Sequence, residues 1–254
     1  MVVGIILAAG KGKRFGAVGH NKTAEEYLGK PLVAWGVDLL GRTTDKQVVV
    51  VGAFEDSVRQ AVGNRDNVVF AIQRRRLGTG HALRVAVAEI KRQGWQPEAI
   101  VLGYGDHLMK YKQETVEELI SKRQETGAGV VLVTTEYSDP DSLRWGRIVR
   151  SENGKVEAII EHKDATEEQR KICELNCGLY CFDYGFVENA LGKLKKSPVS
   201  GEYYATDLVG LAGEAGYSVD AVKTDFSQVG FGANTQEELK KMEKLDNRPI
   251  VADN

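Results

Sequence analysis

Nothing in this chain of 254 residues is apolar for long enough to cross a bilayer, which takes about 20 consecutive apolar residues. The run Val2–Leu7 is far too short, lacks a basic segment ahead of it and is followed at once by lysines, so it does not read as a secretory signal either. There is no excess of positive charge. Lys and Arg total 34 against 36 Asp and Glu, a net charge of −2, so no general field draws the chain to nucleic acid. Any basic residue must act locally. Cysteine is scarce. Cys173, Cys177 and Cys181 stand four apart, a wider spacing than metal or cluster pairs use, and they read as small apolar core residues with reduced thiols. No repeat, no low-complexity tract and no Ser-His-Asp or Cys-His constellation is present. His81, His107 and His162 are scattered among loops and read as ligand-loop or structural residues rather than catalytic bases. These absences leave a cytoplasmic protein with neither a nucleic-acid nor a membrane partner. Its composition, 42% hydrophobic and 28% charged, is that of an ordinary globular chain. The sequon Asn21-Lys22-Thr23 is read as chance.

What is present begins with a buried strand, Val2–Leu7, expected to be central in a sheet. It runs through Ala8-Ala9 into Gly10-Lys11-Gly12-Lys13-Arg14-Phe15-Gly16. Glycines let a backbone turn sharply and bring its N–H groups to an anion, and three basic residues add charge there, so a strand feeding such a loop can hold phosphates. A surface turn with solvated lysines is the plain alternative. The third glycine is one residue late for a dinucleotide fingerprint. Gly29-Lys30 is followed by Pro31, which excludes a Walker loop.

Further strands are expected at residues 47–51, 68–72, 99–102 and 128–134, and helices from Pro31 onward, at 55–62, from Thr79 to about 93, and at 112–125. That alternation predicts an α/β fold of the Rossmann-like kind, with a mainly parallel sheet and helices on both faces. The pattern then changes. Residues 145–150 and 155–161 flank Asn153-Gly154 and form a hairpin. Thr166 and Gln169 have the look of a capping box, and 174–182 is a strand. Residues 140–182 are therefore read as a small lid subdomain within a domain of residues 1–245. Helices follow at 186–194 and 205–215, a strand at 218–222 and a last helix at 236–245, with a frayed polar tail from 246 to 254. Arg74-Arg75-Arg76 could meet a phosphate, but a solvated face is the favoured reading. Asp106, past a hydrophobic strand and beside Gly105, is placed to bind a hard cation, or simply to make an Asx turn.

Several motifs stand in a fixed order: Leu7-Ala8-Ala9-Gly10-Lys11-Gly12-Lys13-Arg14, then Leu77-Gly78-Thr79-Gly80-His81-Ala82, Tyr104-Gly105-Asp106 and Trp145-Gly146-Arg147-Ile148. Glu161-His162-Lys163-Asp164-Ala165, Asn176-Cys177-Gly178, Glu202-Tyr203-Tyr204-Ala205-Thr206-Asp207 and Gly232-Ala233-Asn234 complete the set. Together they resemble the sugar-1-phosphate nucleotidyltransferases, and most of all the uridylyltransferase domains that act on N-acetylglucosamine 1-phosphate. The resemblance covers about residues 2–240. It implies UTP and a sugar 1-phosphate as small-molecule partners, Mg2+ as cofactor, and UDP-N-acetylglucosamine and pyrophosphate as products. It implies that Arg14 and Lys22 hold the triphosphate; that Leu7, Ala8, Ala9, Gly10, Gly12, Gln73, Gly78, Thr79, Tyr104 and Gly105 bind the nucleotide; that Asp106 and Asn234 hold the metal; and that Gly146, Glu161 and Asn176 contact the amino sugar.

Two departures fall beside the reacting phosphates. The family usually has Pro-Lys where this chain has Asn21-Lys22, and Val-Pro-Leu where it has His107-Leu108-Met109. The left-handed β-helix of bifunctional members has no counterpart in these residues. The same fold acting on another pair, such as glucose 1-phosphate with a different nucleotide, and a silent nucleotide-sugar sensor are the alternatives.

Overall fold

The N-terminal apolar run is strand β1 (Val2–Leu7), buried at all its positions. The structure is a computed structural model and describes residues 1–12, 15–230, 232 and 235–248. After β1 come a short hairpin, β2 (Glu26–Tyr27) and β3 (Lys30–Pro31), then α1 (Leu32–Gly41), β4 (Lys46–Val51), α2 (Glu55–Val62), β5 (Val68–Ile72), α3 (Thr79–Arg92) and β6 (Ala99–Tyr104). The second half runs α4 (Gln113–Thr126), β7 (Val130–Glu136), β8 (Arg147–Arg150), β9 (Val156–Ile160), α5 (Glu167–Arg170) and β10 (Glu174–Asp183). It ends with α6 (Tyr184–Ala190), α7 (Asp207–Glu214), β11 (Val219–Lys223), α8 (Phe226–Val229) and α9 (Gln236–Leu245). Among the described residues no helix is long and apolar enough to cross a membrane.

The main sheet has the order β11-β7-β10-β6-β1-β4-β5. The pairs β1–β4, β1–β6, β4–β5 and β7–β11 are parallel, and β10 runs antiparallel between β6 and β7. β1 is interior, as expected, but the middle place belongs to β6. Successive side chains of a strand point to opposite faces, so the sheet has two cores. Val3, Ile5 and Leu7 pack with Leu83, Ala86 and Ile90 of α3 and with α6 and α7. Ile6 packs on the other face with Val33 and Val37 of α1, Val58 of α2 and Leu119 of α4. Each such side chain, fully withdrawn from water, contributes roughly 1.5–3 kcal/mol. A third, smaller cluster joins Phe15, Tyr27, Leu28 and Leu32 to Met109 and to Leu239 and Met242 of α9.

The β8–β9 hairpin turns at Asn153-Gly154, where Gly154 takes φ +80° and the Ser151 N–H donates to the Lys155 carbonyl at 2.9 Å. β8 pairs with β10 through Leu175 and Arg147, so this hairpin continues the main sheet. Its root is held by Arg147, fully buried, whose guanidinium donates to the carbonyls of Pro140 (2.7 Å), Leu143 (3.0 Å), Arg170 (3.2 Å) and Trp145. The Thr166–Gln169 capping box forms as expected.

Three local expectations are corrected. Pro31 stands one residue before α1, as its N-cap, rather than in the first turn. Cys177 and Cys181 are buried on one face of β10, but Cys173 is exposed, because it precedes the strand. The tail does not fray at its start. The Asp246 carboxylate accepts from the Tyr27 hydroxyl at 2.5 Å, from Lys110 at 3.1 Å and from Arg248 at 2.7 Å, which ties the end of α9 to the β2–β3 hairpin. Residues 249–254 lie outside the described residues.

Candidate active site

A cleft of about 590 Å³ opens at the carboxyl ends of β1, β5 and β6, the size and place in which open α/β sheets take small molecules. Leu7, Ala9, Gly10 and Gly12 line it from the end of β1, Gln73, Gly78 and Thr79 from the β5–α3 loop, and Tyr104 and Asp106 from the end of β6. These expected nucleotide residues are therefore brought together. Ala8 and Gly105 support the wall from behind: Ala8 belongs to the core beneath, and the Gly105 N–H donates to the Leu7 carbonyl at 3.0 Å. Arg14 and Asn234 lie outside the described residues.

The basic loop is positioned by the residue that stands where the resembling family has proline. Asn21 is almost fully buried. Its Nδ2 donates to the carbonyls of Ala8 (3.1 Å), Gly10 (2.9 Å) and Ala53 (2.8 Å), and its Oδ1 caps the 3-10 turn Lys22–Ala24 through the Thr23 N–H at 2.9 Å. One side chain thus fixes the end of β1 and the start of the lysine turn together. Gly12 takes φ +58°, and a Cβ there would stand 2.7 Å from the Lys22 Cβ, so its bare backbone is what lets Lys22 pass. Lys22 reaches the Asp106 carboxylate and forms an ion pair. Burial opposes charge on Asp106, but the Lys22 ammonium outweighs it and holds the carboxyl below its ordinary range.

A divalent cation of the magnesium type takes one or two carboxylates and completes its shell with water and phosphate oxygens. Asp106 fits that role: its carboxylate is kept ionised and lines the cleft. Among the described residues no group of three or more His, Cys, Asp or Glu side chains is placed to hold a metal ion. The residues His107, Leu108 and Met109 after it face inward. Leu108 fills the space above Gly36 and Gly103, where added Cβ atoms would meet it at 2.8 and 2.7 Å. His107 stacks edge-on to Trp145 at 4.7 Å, and burial lowers its pKa.

At the other end, the β5–α3 loop is held rigid. The Gln73 amide nitrogen donates to the Gly78 carbonyl at 3.0 Å and meets His81 Nδ1 at 3.0 Å. Burial keeps the His81 pKa low, so its Nδ1 can accept. Both Gln73 amide hydrogens are then used, and its Oε1, an acceptor only, is what remains for a ligand. Gly78 takes φ +98°, and a Cβ there would lie 2.4 Å from the Tyr203 carbonyl oxygen. Gly80 and Leu77 exchange hydrogen bonds with Tyr203 at 2.8 Å each, and the Ala205 N–H donates to Thr79 Oγ1 at 3.0 Å.

Of the residues expected to touch a sugar, none is in the wall of the cleft. Gly146 and Asn176 are neighbours: the Asn176 N–H donates to the Gly146 carbonyl at 2.9 Å, and a Cβ on Gly146 would meet Ile159 at 2.6 Å. Asn176 Oδ1 accepts from the Tyr180 hydroxyl at 2.8 Å and the Gly178 N–H at 3.2 Å, which leaves its Nδ2 as the free group. Glu161 accepts from the Thr206 hydroxyl at 2.9 Å. Tyr104 stands between the two regions, edge-on to Tyr180 at 6.5 Å, in room made by Gly178 at φ +71°. Five further residues line the cleft: Lys11, Arg76, Ala82, Lys163 and Glu202. Lys163 and Glu202 stood inside quoted motifs without a role, and Arg76 was read as solvated; their place in strand-end and hairpin-end loops was the available signal.

Residues 4–173 match the MobA-like NTP transferase domain. The chain is 38% identical over 252 residues, 98% of its length and 53% of the relative's, to the bifunctional protein GlmU of Paraburkholderia phymatum. It is 36% identical over 237 residues, 92% of its length and 50% of the relative's, to the bifunctional protein GlmU of Caldicellulosiruptor saccharolyticus. It thus spans about half the length of these curated relatives. A crystal structure from Bacillus anthracis, described provisionally as a glucose-1-phosphate thymidylyltransferase, superposes with a TM-score of 0.76 over 100% of this chain and 98% of that one, at 17% identity, a likeness of fold. The family match extends across both ends of the cleft, from β1 through the hairpin to the start of β10, and the chain belongs to the family of MobA-like NTP transferase domains.

Proposed function

We propose that this chain transfers a uridylyl group from UTP to N-acetylglucosamine 1-phosphate, releasing pyrophosphate. The observation that carries the proposal is the fixed Gln73. With both amide hydrogens engaged by Gly78 and His81, it offers only an acceptor to a base. Uracil has a ring N–H at its pairing edge to meet it; in cytosine that ring nitrogen is bare, and the donor of the pairing edge is the neighbouring amino group. The relatives named GlmU support an amino-sugar phosphate as the second substrate, and the free Nδ2 of Asn176 suits the carbonyl of an N-acetyl group.

The step is a substitution at phosphorus. An oxygen of the sugar phosphate forms a bond to the α-phosphorus, the bond from that phosphorus to the bridging oxygen of pyrophosphate breaks, and pyrophosphate leaves with the electron pair. A phosphate monoester has its second pKa near about 6, so the nucleophile is ionised at neutral pH and no general base is needed. The barrier is the approach of two polyanions and the placing of the reacting atoms. Lys22 and Lys11 supply positive charge beside the Gly10–Gly12 turn, and Thr79 and Gly78 hold the ribose and base end. Asp106 and Asn234 would hold Mg2+, which would supply positive charge to polarise the α-phosphate and offset the repulsion between the two polyanions. Lys22 pairs with Asp106, a residue of the cleft wall, which places its ammonium beside the same end of the site. The cytoplasmic location expected from the sequence is part of the same proposal.

The test is pyrophosphate release from UTP and N-acetylglucosamine 1-phosphate with magnesium, beside other nucleotide and sugar-phosphate pairs. Release that stops with chelator supports the reading. Asp106→Ala should lower it by at least about 10²-fold, the scale of losing one charge-stabilising group. Equal or better turnover of glucose 1-phosphate would overturn the choice of sugar.

A further inference from the structure

Of the three consecutive arginines, only Arg76 lines the cleft. The backbone explains why. The Leu77 N–H donates to the Arg75 carbonyl at 3.0 Å, an i to i+2 bond that makes Arg76 the centre of a γ-turn. The loop is anchored on both sides, by Gln73 N–H to the Val51 carbonyl at 2.7 Å and by Tyr203 N–H to the Leu77 carbonyl at 2.8 Å. The backbone from which the Arg76 side chain projects is therefore itself held. Among the described residues its guanidinium has no hydrogen-bond or ion-pair partner, whereas Arg84, on the helix that follows, spends its donors on the carbonyls of Leu191 and Leu194.

We infer that Arg76 reads the nucleobase, donating to the 4-carbonyl beside the N–H accepted by Gln73, where cytosine carries an amino group instead, and so selects UTP over CTP. The inference deepens the uridylyl-transfer proposal and rests on it for the identity of the base. A guanidinium is a donor at every nitrogen and accepts nothing. Gln73, three residues earlier, offers an acceptor. Both line the same cleft from one loop, so between them they offer an acceptor and a donor, the complement of the N–H and 4-carbonyl of uracil. The amino group of cytosine is a donor and would face the guanidinium unpaired. Position argues for the base rather than the phosphates. β5 is three strands from β6 in the sheet, roughly 14 Å at about 4.8 Å per strand, so the loop starts at the far end of the sheet from Asp106, while Lys11 and Lys22 serve the phosphate end.

The experiment is calorimetric titration of the intact chain, with magnesium, by UTP and CTP separately. It compares the unaltered protein with Arg76→Ala and with Arg74→Ala, an exposed neighbour outside the cleft. The unaltered chain should bind UTP more tightly, and Arg76→Ala should narrow the ratio of the two dissociation constants about fivefold or more, on the scale of a side chain that discriminates one base edge. Arg74→Ala should leave the ratio unchanged. Weakening of UTP and CTP by one common factor would place Arg76 on the phosphates and overturn the inference, as would an unchanged ratio. Binding is read without turnover: a narrowed ratio in a chain that releases no pyrophosphate would sink the transfer reading while sustaining Arg76, and release with an unmoved ratio would do the reverse.

Discussion

Asp106 and Glu161 are both partly buried carboxylates near Tyr104, and their surroundings treat them in opposite ways. Burial works against the ionised form of each. At Asp106 the Lys22 ammonium overrides it, and the carboxyl is held below its ordinary range. At Glu161 the nearby charges are Asp207 and Asp164; the Thr206 hydroxyl and Lys163 pull the other way without prevailing, and the pKa rises. Neighbours, not depth, decide whether a buried acid keeps its charge. One end of the site is built to present a negative charge to a cation. At the other end, burial and the acidic neighbours Asp207 and Asp164 push the carboxyl's pKa upward and make its charged form costlier. Two acids pushed apart in this way mark two roles.

Replacing each acid by its own amide attacks this contrast most directly. Asp106→Asn removes a charge the site depends on, and magnesium-dependent pyrophosphate release should fall by about 10²-fold or more with the circular dichroism spectrum intact. Glu161→Gln removes a charge that burial and acidic neighbours already disfavour. It should cost less than about tenfold, mainly through KM for the sugar phosphate, as removal of an interaction that does not strengthen in the transition state does. Equal losses in the two variants would erase the distinction.

Thr206→Val probes the sugar side alone. Thr206 is fully buried and its hydroxyl is the donor to Glu161 at 2.9 Å. Its loss leaves a carboxyl oxygen short of a partner, at about 1–2 kcal/mol. For a chain of this size that lowers the melting temperature by roughly 3–6 °C. In Glu161→Gln the same change should not simply add, because the two residues share one bond. Additive shifts in melting temperature would mean that the hydroxyl does not support the acid.

Much of the nucleotide end was legible in the sequence, because it is built from backbone. The glycines at 10, 12, 78 and 105 and the alternation of strand and helix encode where the chain turns, and Asp106 follows a hydrophobic run. Asn21 was not legible. It stood where the resembling family has proline, and its three donations to Ala8, Gly10 and Ala53 join segments whose meeting no local pattern records. The sugar end was less legible for the same reason. The charge state of Glu161 depends on Asp164, Thr206 and Asp207, which come together only through the packing of α7 on β9. The pinned start of the tail, with Asp246 reaching Tyr27 and Lys110, is a third case: a polar segment looks frayed until its distant partners are known.

A last expected effect, confined to pH dependence, concerns Asp207, the first residue of α7. Burial, then the nearby Asp164, push its pKa from the ordinary 3.8 up to about 6. A carboxyl whose pKa is higher folded than unfolded binds more protons in the native state, so its contribution to stability is complete below the unfolded value and lost as pH rises through the folded one. The unaltered chain should therefore lose stability between about pH 4 and pH 6 relative to Asp207→Asn, which carries no titrating group there. A charge at a helix N-terminus works against this loss, by about 0.3–1 kcal/mol, so the difference between the two chains should be modest and should level off above neutrality. Urea midpoints at unit steps from pH 4 to pH 8 would measure it. Parallel curves for the two proteins would mean that the dipole of α7 offsets Asp164 and burial together, and that the acid cluster on the sugar side stops at Glu161.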